Sequence, residues 1–223
     1  MSKPGIFVAA GVVTVVLLLG GIHATAQSLR IDPQRSTMTV KVFKSGVFSA
    51  FGHNHEIRAP IISGSLVTSG KPSVELRVDA RRMQVLDTDL PADKRAEVQK
   101  TMLSDEVLDS ERFPEIRFVS RTIEAAGGSR YRVTGELTLH GVTLPVVVRV
   151  EQRGDRYTGS ATVKQSEFRM KPVTVAGGTV KVKDAVEIVF EIVTTPQSPA
   201  AALGTERPAA SGRSSLMTAT PSR

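Results

Sequence analysis

Apolar and polar residues alternate along most of the chain, and the alternation is clearest on either side of the dipeptide His140-Gly141. Tyr131 to Leu139 carry apolar residues at every second position, and Val142 to Val150 resume the pattern after the dipeptide. A period of two is typical of antiparallel strands with one buried face. Comparable segments lie at Met38–Val42, Val74–Ala80, Ile116–Phe118, Tyr157–Val163 and Val186–Ile192, and Ile61–Val67 is a further short apolar segment. Many short strands separated by glycine-containing turns predict an all-β sandwich or barrel.

One segment, from Leu90 to Leu108, departs from this alternation. Charged residues dominate it, and its apolar residues fall at helical spacings. Asp89 is expected to cap a helix of about three turns, with Pro91 near its first position. A short turn follows through Asp105 to Leu108. A plain connection between strands is the alternative, and Asp87 is assigned to the turn before the helix.

Both termini differ from the alternating region. Residues 1–26 have a basic start, an apolar run and an Ala24-Thr25-Ala26 ending, the order of a secretory signal peptide cleaved after Ala26. An uncleaved N-terminal anchor is the alternative. Residues 196–223 are rich in Pro, Ala, Ser and Thr and predict a disordered tail. We therefore expect a domain at 27–195, located in the periplasm or secreted.

Composition reduces the number of possible functions further. The chain of 223 residues has no cysteine, so an exported domain must rely on its core and its sheet hydrogen bonds. The net charge of +7 is scattered, which allows transient contact with an anionic membrane surface. With no Trp and two Tyr, a nucleic-acid partner is not expected. No nucleophile elbow, P-loop or dinucleotide fingerprint follows a strand, so we expect neither an enzyme nor a cofactor.

Two phrases carry a family resemblance: FPEIRFVS, from Phe113 to Ser120, and GELTLHGVTLPV, from Gly135 to Val146. They resemble the YceI-like family of periplasmic lipid-binding proteins. The resemblance implies an extended, lipocalin-like antiparallel β-barrel around a long isoprenoid or other amphipathic lipid, in a family not known for enzymes. Its helical insertion corresponds to the segment that ends before Phe113.

The side chains on the inward face of such a barrel decide whether it can hold a ligand. An eight-stranded barrel has room for packed side chains or for one small ligand, so a hollow lumen and a solid core both remain open. The resemblance favours the hollow form. The residues predicted to line a cavity and contact the lipid are Val40, Val42, Leu76, Val78, Phe118, Val133, Leu137, Leu139, Leu144, Val146, Val148, Ile188 and Phe190.

Several polar residues lie close together in the segment GHNHEIR, residues 52–58. His53 and His55 share one face of a strand, and with Arg58 they are candidates for holding a polar headgroup at the barrel mouth. The alternative is a metal site formed by His53, His55 and either His140 or Glu56. His140 is otherwise a turn residue. A third possibility is a structural or interaction module, and the oligomeric state is open.

Overall fold

The computed structural model describes residues 28–45, 54–175 and 180–197. Strands dominate this part of the chain, as the alternation predicts. The strands are β1 Ser28–Ile31, β2 Thr37–Val42, β3 Lys44–Ser45, β4 His55–Arg58, β5 Ile61–Val67, β6 Ser73–Asp79, β7 Gln84–Val85, β8 Glu115–Ala125, β9 Arg130–Leu139, β10 Val142–Arg153, β11 Arg156–Lys164, β12 Thr174–Val175, β13 Val180–Val182 and β14 Ala185–Pro196. One α-helix, α1, spans Ala92–Leu103, and short 3₁₀ helices span Ala80–Arg82 and Gln165–Phe168.

Eight antiparallel strands close into a barrel, in the order β1-β5-β6-β8-β9-β10-β11-β14. The ring closes where Leu29 to Ile31 of β1 pair with Thr194 to Pro196 of β14. The first and last strands of the domain thus pair with each other, which leaves this ring without a free edge. The predicted all-β barrel with one helix is confirmed.

Further strands extend this wall. β2 continues the line of β1 beside β14, β4 pairs with β2, and β7 pairs with β4. β12, β13 and β3 form a separate three-stranded sheet. β2, β4 and β7 therefore extend the sheet beyond the eight strands of the ring.

Alternation along the strands separates the interior from the exterior. In β9, Val133, Leu137 and Leu139 are buried, whereas Arg132 is exposed. On the outside of β6 and β8, Arg117 and Arg77 both donate to Glu75 Oε1, and these hydrogen bonds lower the pKa of Glu75. Such exposed ion pairs contribute little to stability individually.

The helix α1 differs from the prediction at its start. Its N-cap residue is Pro91, which makes no side-chain cap hydrogen bond, so the helix begins two positions later than a cap at Asp89 would place it. Instead, a side chain within the helix attaches α1 to the wall: Gln99 accepts from the Val85 N–H and donates to the Met83 carbonyl, both at 2.8 Å. The predicted turn after the helix is present at residues 104–108.

The two ends of the barrel are built differently. We call the hairpin end the one that carries the loop 68–72 and the turns 126–129 and 154–155, and the helix end the one that carries α1, the 3₁₀ helix Gln165–Phe168 and the turn at residues 140–141. At the helix end Phe168 is 1% exposed, the most buried aromatic side chain among the described residues. Within the described ranges, no helix has the length and apolarity needed to cross a membrane.

Candidate functional site

The barrel is hollow. A cavity of about 1500 Å³ runs along its axis and is bordered by residues from both ends. Val40, Ile188 and Phe190 all point inward and yet are only partly buried. Close-packed interiors bury such side chains almost completely, so their exposure comes from open space inside the barrel. The structure therefore answers the question that the sequence left open between a lumen and a solid core.

The predicted lining residues lie along this cavity with one exception. Every residue of the predicted set except Leu144 borders it. Leu144 borders a second cavity of about 420 Å³ with Val163 and Phe168, at the helix end. Which of the lining residues contact a ligand stays a prediction. The wall they form is almost entirely aliphatic, with Phe118 and Phe190 as its phenylalanines.

Two glycines keep these phenylalanine rings against the wall. A methyl group on Gly135 would lie 2.4 Å from Phe118 Cζ, and one on Gly159 would lie 2.5 Å from Phe190 Cζ. Gly159 pairs directly with Phe190 across β11 and β14. Each ring therefore occupies the space that a side chain on the neighbouring strand would fill, an arrangement of aromatic residues over glycine known from sheets. Because the rings lie over glycines, they leave more of the lumen open.

The hairpin end is lined by polar but mostly uncharged groups. Tyr131 donates to Gln152 Oε1 at 3.4 Å, and burial raises the pKa of the Tyr157 hydroxyl, with Tyr131 adding a smaller effect. Asp155 is the charged residue that borders the cavity here, and it pairs with Arg35 at 3.4 Å. This end offers hydrogen bonds without an excess of charge.

The helix end is cationic where the cavity reaches the surface. Lys44, Lys94 and Lys181 border the cavity there, against one carboxylate, Glu97. Glu97 pairs with Lys94 at 3.0 Å. Low-dielectric walls concentrate the potential of such a charged rim.

His55 borders the same opening, and a buried carboxylate holds its ring in place. His55 Nδ1 lies 2.6 Å from Asp87 Oδ2, and the Glu56 N–H donates to Asp87 Oδ1 at 2.8 Å. The Asp87 side chain is 3% exposed and that of His55 is 20% exposed. Because an ionised carboxylate only accepts, Nδ1 carries the proton and Nε2 is the ring nitrogen left for a ligand.

Asp87 and Arg58 are close to His55 in space or in the chain, and the structure gives them different positions. The sequence predicts only a turn at Asp87; in the structure its carboxylate orients His55, which lies 32 positions earlier in the chain. Arg58 follows the outward-facing alternation of β4: it is exposed, donates to Gln84 and does not border the cavity. The structure thus brings His55 to the opening and leaves Arg58 on the outer face. His53 lies outside the described residues.

His140 lies in a tight turn, and its ring contacts neighbouring residues. It has φ of 50° and forms the two-residue turn between β9 and β10 with Gly141. Its Nδ1 lies 3.1 Å from the Phe168 carbonyl oxygen, and its ring is tilted by 59° against that of Phe113, with the ring centroids 4.7 Å apart. Among the described residues, no three His, Asp or Glu side chains are grouped as metal ligands would be. The alternative metal site includes His53, which lies outside the described residues, so that site stays a prediction.

Comparison with known proteins agrees with this architecture. A family model described as the YceI-like domain matches residues 29–194. A UPF0312 protein of Photorhabdus laumondii is 26% identical over 174 residues, which cover 72% of this chain and 85% of that protein. A UPF0312 protein of Pseudomonas savastanoi pv. phaseolicola is 34% identical over 86 residues, 34% of this chain and 45% of the relative. The chain thus spans about half the length of this curated relative.

A solved structure shares the fold. The crystal structure of Burkholderia cenocepacia BcnA matches with a TM-score of 0.56 and 24% sequence identity, covering 74% of this chain and 99% of that one. At this level of identity the likeness concerns the arrangement of the strands.

Proposed function

Because the chain belongs to the YceI-like family, whose barrels commonly bind hydrophobic ligands, we propose that it is an exported, non-catalytic carrier that encloses one long lipid in its barrel. The observation that carries this proposal is the aliphatic cavity of about 1500 Å³ between the two ends. Pockets for drug-sized ligands usually measure about 300–1,000 Å³, so this one suits a larger or longer molecule. Members of the family are not known as enzymes.

Removal of apolar surface from water supplies the binding energy in this proposal. Each Å² of apolar surface that leaves water contributes about 25 cal/mol, before the cost of ordering the ligand is subtracted. A flexible chain loses conformational freedom in the lumen, so a ligand with many apolar atoms and few polar ones is favoured. An isoprenoid-like chain meets this description and agrees with the resemblance found in the sequence.

The proposal of export rests on the leader-like order of residues 1–26, which lie outside the described residues. N-terminal sequencing of the protein recovered from the cell envelope or medium tests this part. A mature chain that begins at Gln27 is expected. A full-length chain retained in the cytoplasm would contradict export without affecting the proposal on lipid binding.

Neighbouring valines of β10 give a matched test of the lumen. Val146 borders the cavity, whereas Val147 is 45% exposed on the outside. We expect Val146→Phe to place a ring in the lumen and to shorten the longest lipid that copurifies. Val147→Phe makes the same chemical change outside the barrel, so its lipid content should match that of the wild type.

The stability of the same pair separates a hollow barrel from a filled one. Overpacking a solid core costs about 1–3 kcal/mol, so Val146→Phe should cost less than this in urea unfolding, because the ring enters open space. Lipid extracts analysed by mass spectrometry report the occupant. Equal lipid content in all three proteins, or no lipid in any of them, would contradict the proposal.

A further inference from the structure

We propose that a seam in the barrel wall, between β10 and β11, is a lateral entrance through which the lipid chain reaches the lumen, and that the 3₁₀ helix Gln165–Phe168 closes it. This inference rests on the proposed lipid-binding function and adds the route by which the ligand enters and leaves. It is carried by a break in strand pairing that coincides with the second cavity.

The ladder between β10 and β11 covers only part of their length. From their shared turn the two strands pair as far as Arg149 and Ser160. Beyond that point, within the described part of the chain, residues 142–148 pair with β9 and residues 161–164 pair with β14, and the two stretches do not pair with each other. We call the gap between these two stretches the seam. The wall is closed there by side chains and not by a ladder of backbone hydrogen bonds.

A proline lies on the β10 side of the seam. Val142 and Leu139 flank the two-residue turn between β9 and β10 and form a hydrogen-bonded pair, so the odd-numbered positions of β10 direct their backbone polar groups toward β11. Residue 145 is one of these positions, and as a proline it has no N–H to donate. Proline within sheets is confined mainly to edge strands and bulges. Pro145 therefore removes a hydrogen bond that would otherwise continue the pairing of β10 with β11.

The second cavity lies in the seam. This cavity of about 420 Å³ is bordered by Val147 from β10, Thr162 from β11 and Phe168 from the 3₁₀ helix. Val146 and Val163 border both this cavity and the lumen. These two valines, one from each strand, therefore separate the lumen from the seam. A small separation of β10 from β11 would join the two cavities into one passage through the wall.

The 3₁₀ helix contacts both strands but is attached mainly on the side of β14. Ser166 donates to the Asp184 carboxylate from its N–H at 2.8 Å and from its hydroxyl at 2.6 Å. The Gln165 N–H donates to the Asp184 carbonyl oxygen at 2.9 Å. On the other side, His140 Nδ1 donates to the Phe168 carbonyl oxygen at 3.1 Å, the one hydrogen bond that the described residues show between this helix and the β9–β10 hairpin. The seam is therefore expected to open between the 3₁₀ helix and β10, where a single hydrogen bond has to break.

Phe168 keeps the closed form favoured. Its side chain is almost fully buried and belongs to the same core cluster as Val163. Opening exposes part of this ring to water, which is unfavourable, and a passing lipid chain covers it again. The closed seam is therefore the resting form, and the open one is short-lived.

Cross-linking across the seam tests the entrance, because the chain has no cysteine of its own. Val147→Cys with Thr162→Cys places one thiol on each side of the seam at exposed positions, and a short bismaleimide joins them. Thr138→Cys with Thr143→Cys is the matched control. The hydroxyl groups of these two threonines lie 2.8 Å apart across the paired strands β9 and β10, and the same reagent joins their replacements.

Stopped-flow fluorescence of anthraniloyl geranylgeraniol, mixed with the delipidated full chain, gives the rates of uptake and release. A barrier on the route changes these rates but not the free and bound states. We therefore expect the seam cross-link to slow uptake and release by about tenfold or more, with an unchanged Kd. The control cross-link should leave both rates as they are in the wild type.

A second pair of variants tests the hydrogen bond that holds the seam closed. His140→Gly removes the bond to the Phe168 carbonyl oxygen, and glycine tolerates the φ of 50° at this position. His140→Asn also suits this turn and keeps a donor where Nδ1 lies. We expect severalfold faster uptake and release in His140→Gly and rates close to those of the wild type in His140→Asn. Circular dichroism shows whether both are folded, and the cross-linked pair keeps the test decisive if they are not.

The possible outcomes separate the inference from the function on which it rests. Lipid that binds and leaves the seam-linked protein at the rates of the wild type would overturn the lateral entrance and leave the carrier function in place. Equal slowing by the control cross-link would also overturn it, because a stiffer wall anywhere would then explain the effect. Failure of the lipid to bind the wild type would overturn the carrier function and the inference together.

Discussion

The contact between Gly159 and Phe190 gives a prediction whose size follows from the coordinates. A methyl group on Gly159 would lie 2.5 Å from Phe190 Cζ and 2.3 Å from the Arg149 carbonyl oxygen. Nonbonded carbon atoms prefer separations of about 3.5–4.0 Å, so in Gly159→Ala the ring must move by about 1 Å toward the lumen. The backbone of β10 must also shift, because Arg149 lies on that strand.

The expected cost has two parts. Overpacking of this kind costs about 1–3 kcal/mol, and the ring accounts for the part that a second substitution can remove. In a Phe190→Ala background the ring is absent, so Gly159→Ala should then cost about 1–2 kcal/mol less than in the wild type. The remaining cost reflects the contact with the Arg149 carbonyl oxygen.

Urea unfolding of the wild type, both single variants and the double variant measures this coupling directly. Ligand-free protein is needed, since a bound lipid would stabilise the folded state of each variant differently. Effects that add within about 0.5 kcal/mol would refute the view that Gly159 makes room for the ring. Displacement of the ring should also reduce lipid binding in Gly159→Ala.

Two further substitutions test other parts of the account. Gln99→Ala removes both hydrogen bonds that hold α1 to the wall, so we expect a loss of about 1–3 kcal/mol and faster amide exchange in α1, measured by hydrogen-exchange mass spectrometry; unchanged exchange would contradict this role. Hydrogen bonds from Ser166 lower the pKa of Asp184 below its ordinary value of 3.8. Asp184 therefore stabilises the fold above that pH and loses this effect as the pH falls through its lowered pKa. Asp184→Asn should be less stable than the wild type at pH 7 and should approach it in acid, as thermal unfolding at a series of pH values will show; a constant difference would contradict the assignment.

The strands could be predicted from the sequence because their alternation is local. The pair of strands around His140-Gly141 follows directly from the period of two. Closure of the barrel could not be predicted in this way, since the pairing of β1 with β14 depends on residues from opposite ends of the domain. That part of the fold came from the family resemblance.

The residues of the site were harder to predict from the sequence, because they too come from distant parts of the chain. Asp87 and His55 are 32 positions apart, and neither pattern nor spacing links them. Closeness in the chain predicts that Arg58 lies beside His55, but alternation along β4 turns Arg58 outward. The signal that could have been read is the glycine within each of two strands, Gly135 and Gly159, since glycine inside a strand often marks a close approach.

The central claim is that the barrel holds one long apolar lipid. Native mass spectrometry of the full chain, purified without organic solvent or detergent, tests it most directly. We predict a species heavier than the bare chain by the mass of one lipid, which organic extraction removes and which incubation with a long-chain isoprenoid restores. A bare chain before extraction, with no mass gained on incubation with that lipid, would contradict the account.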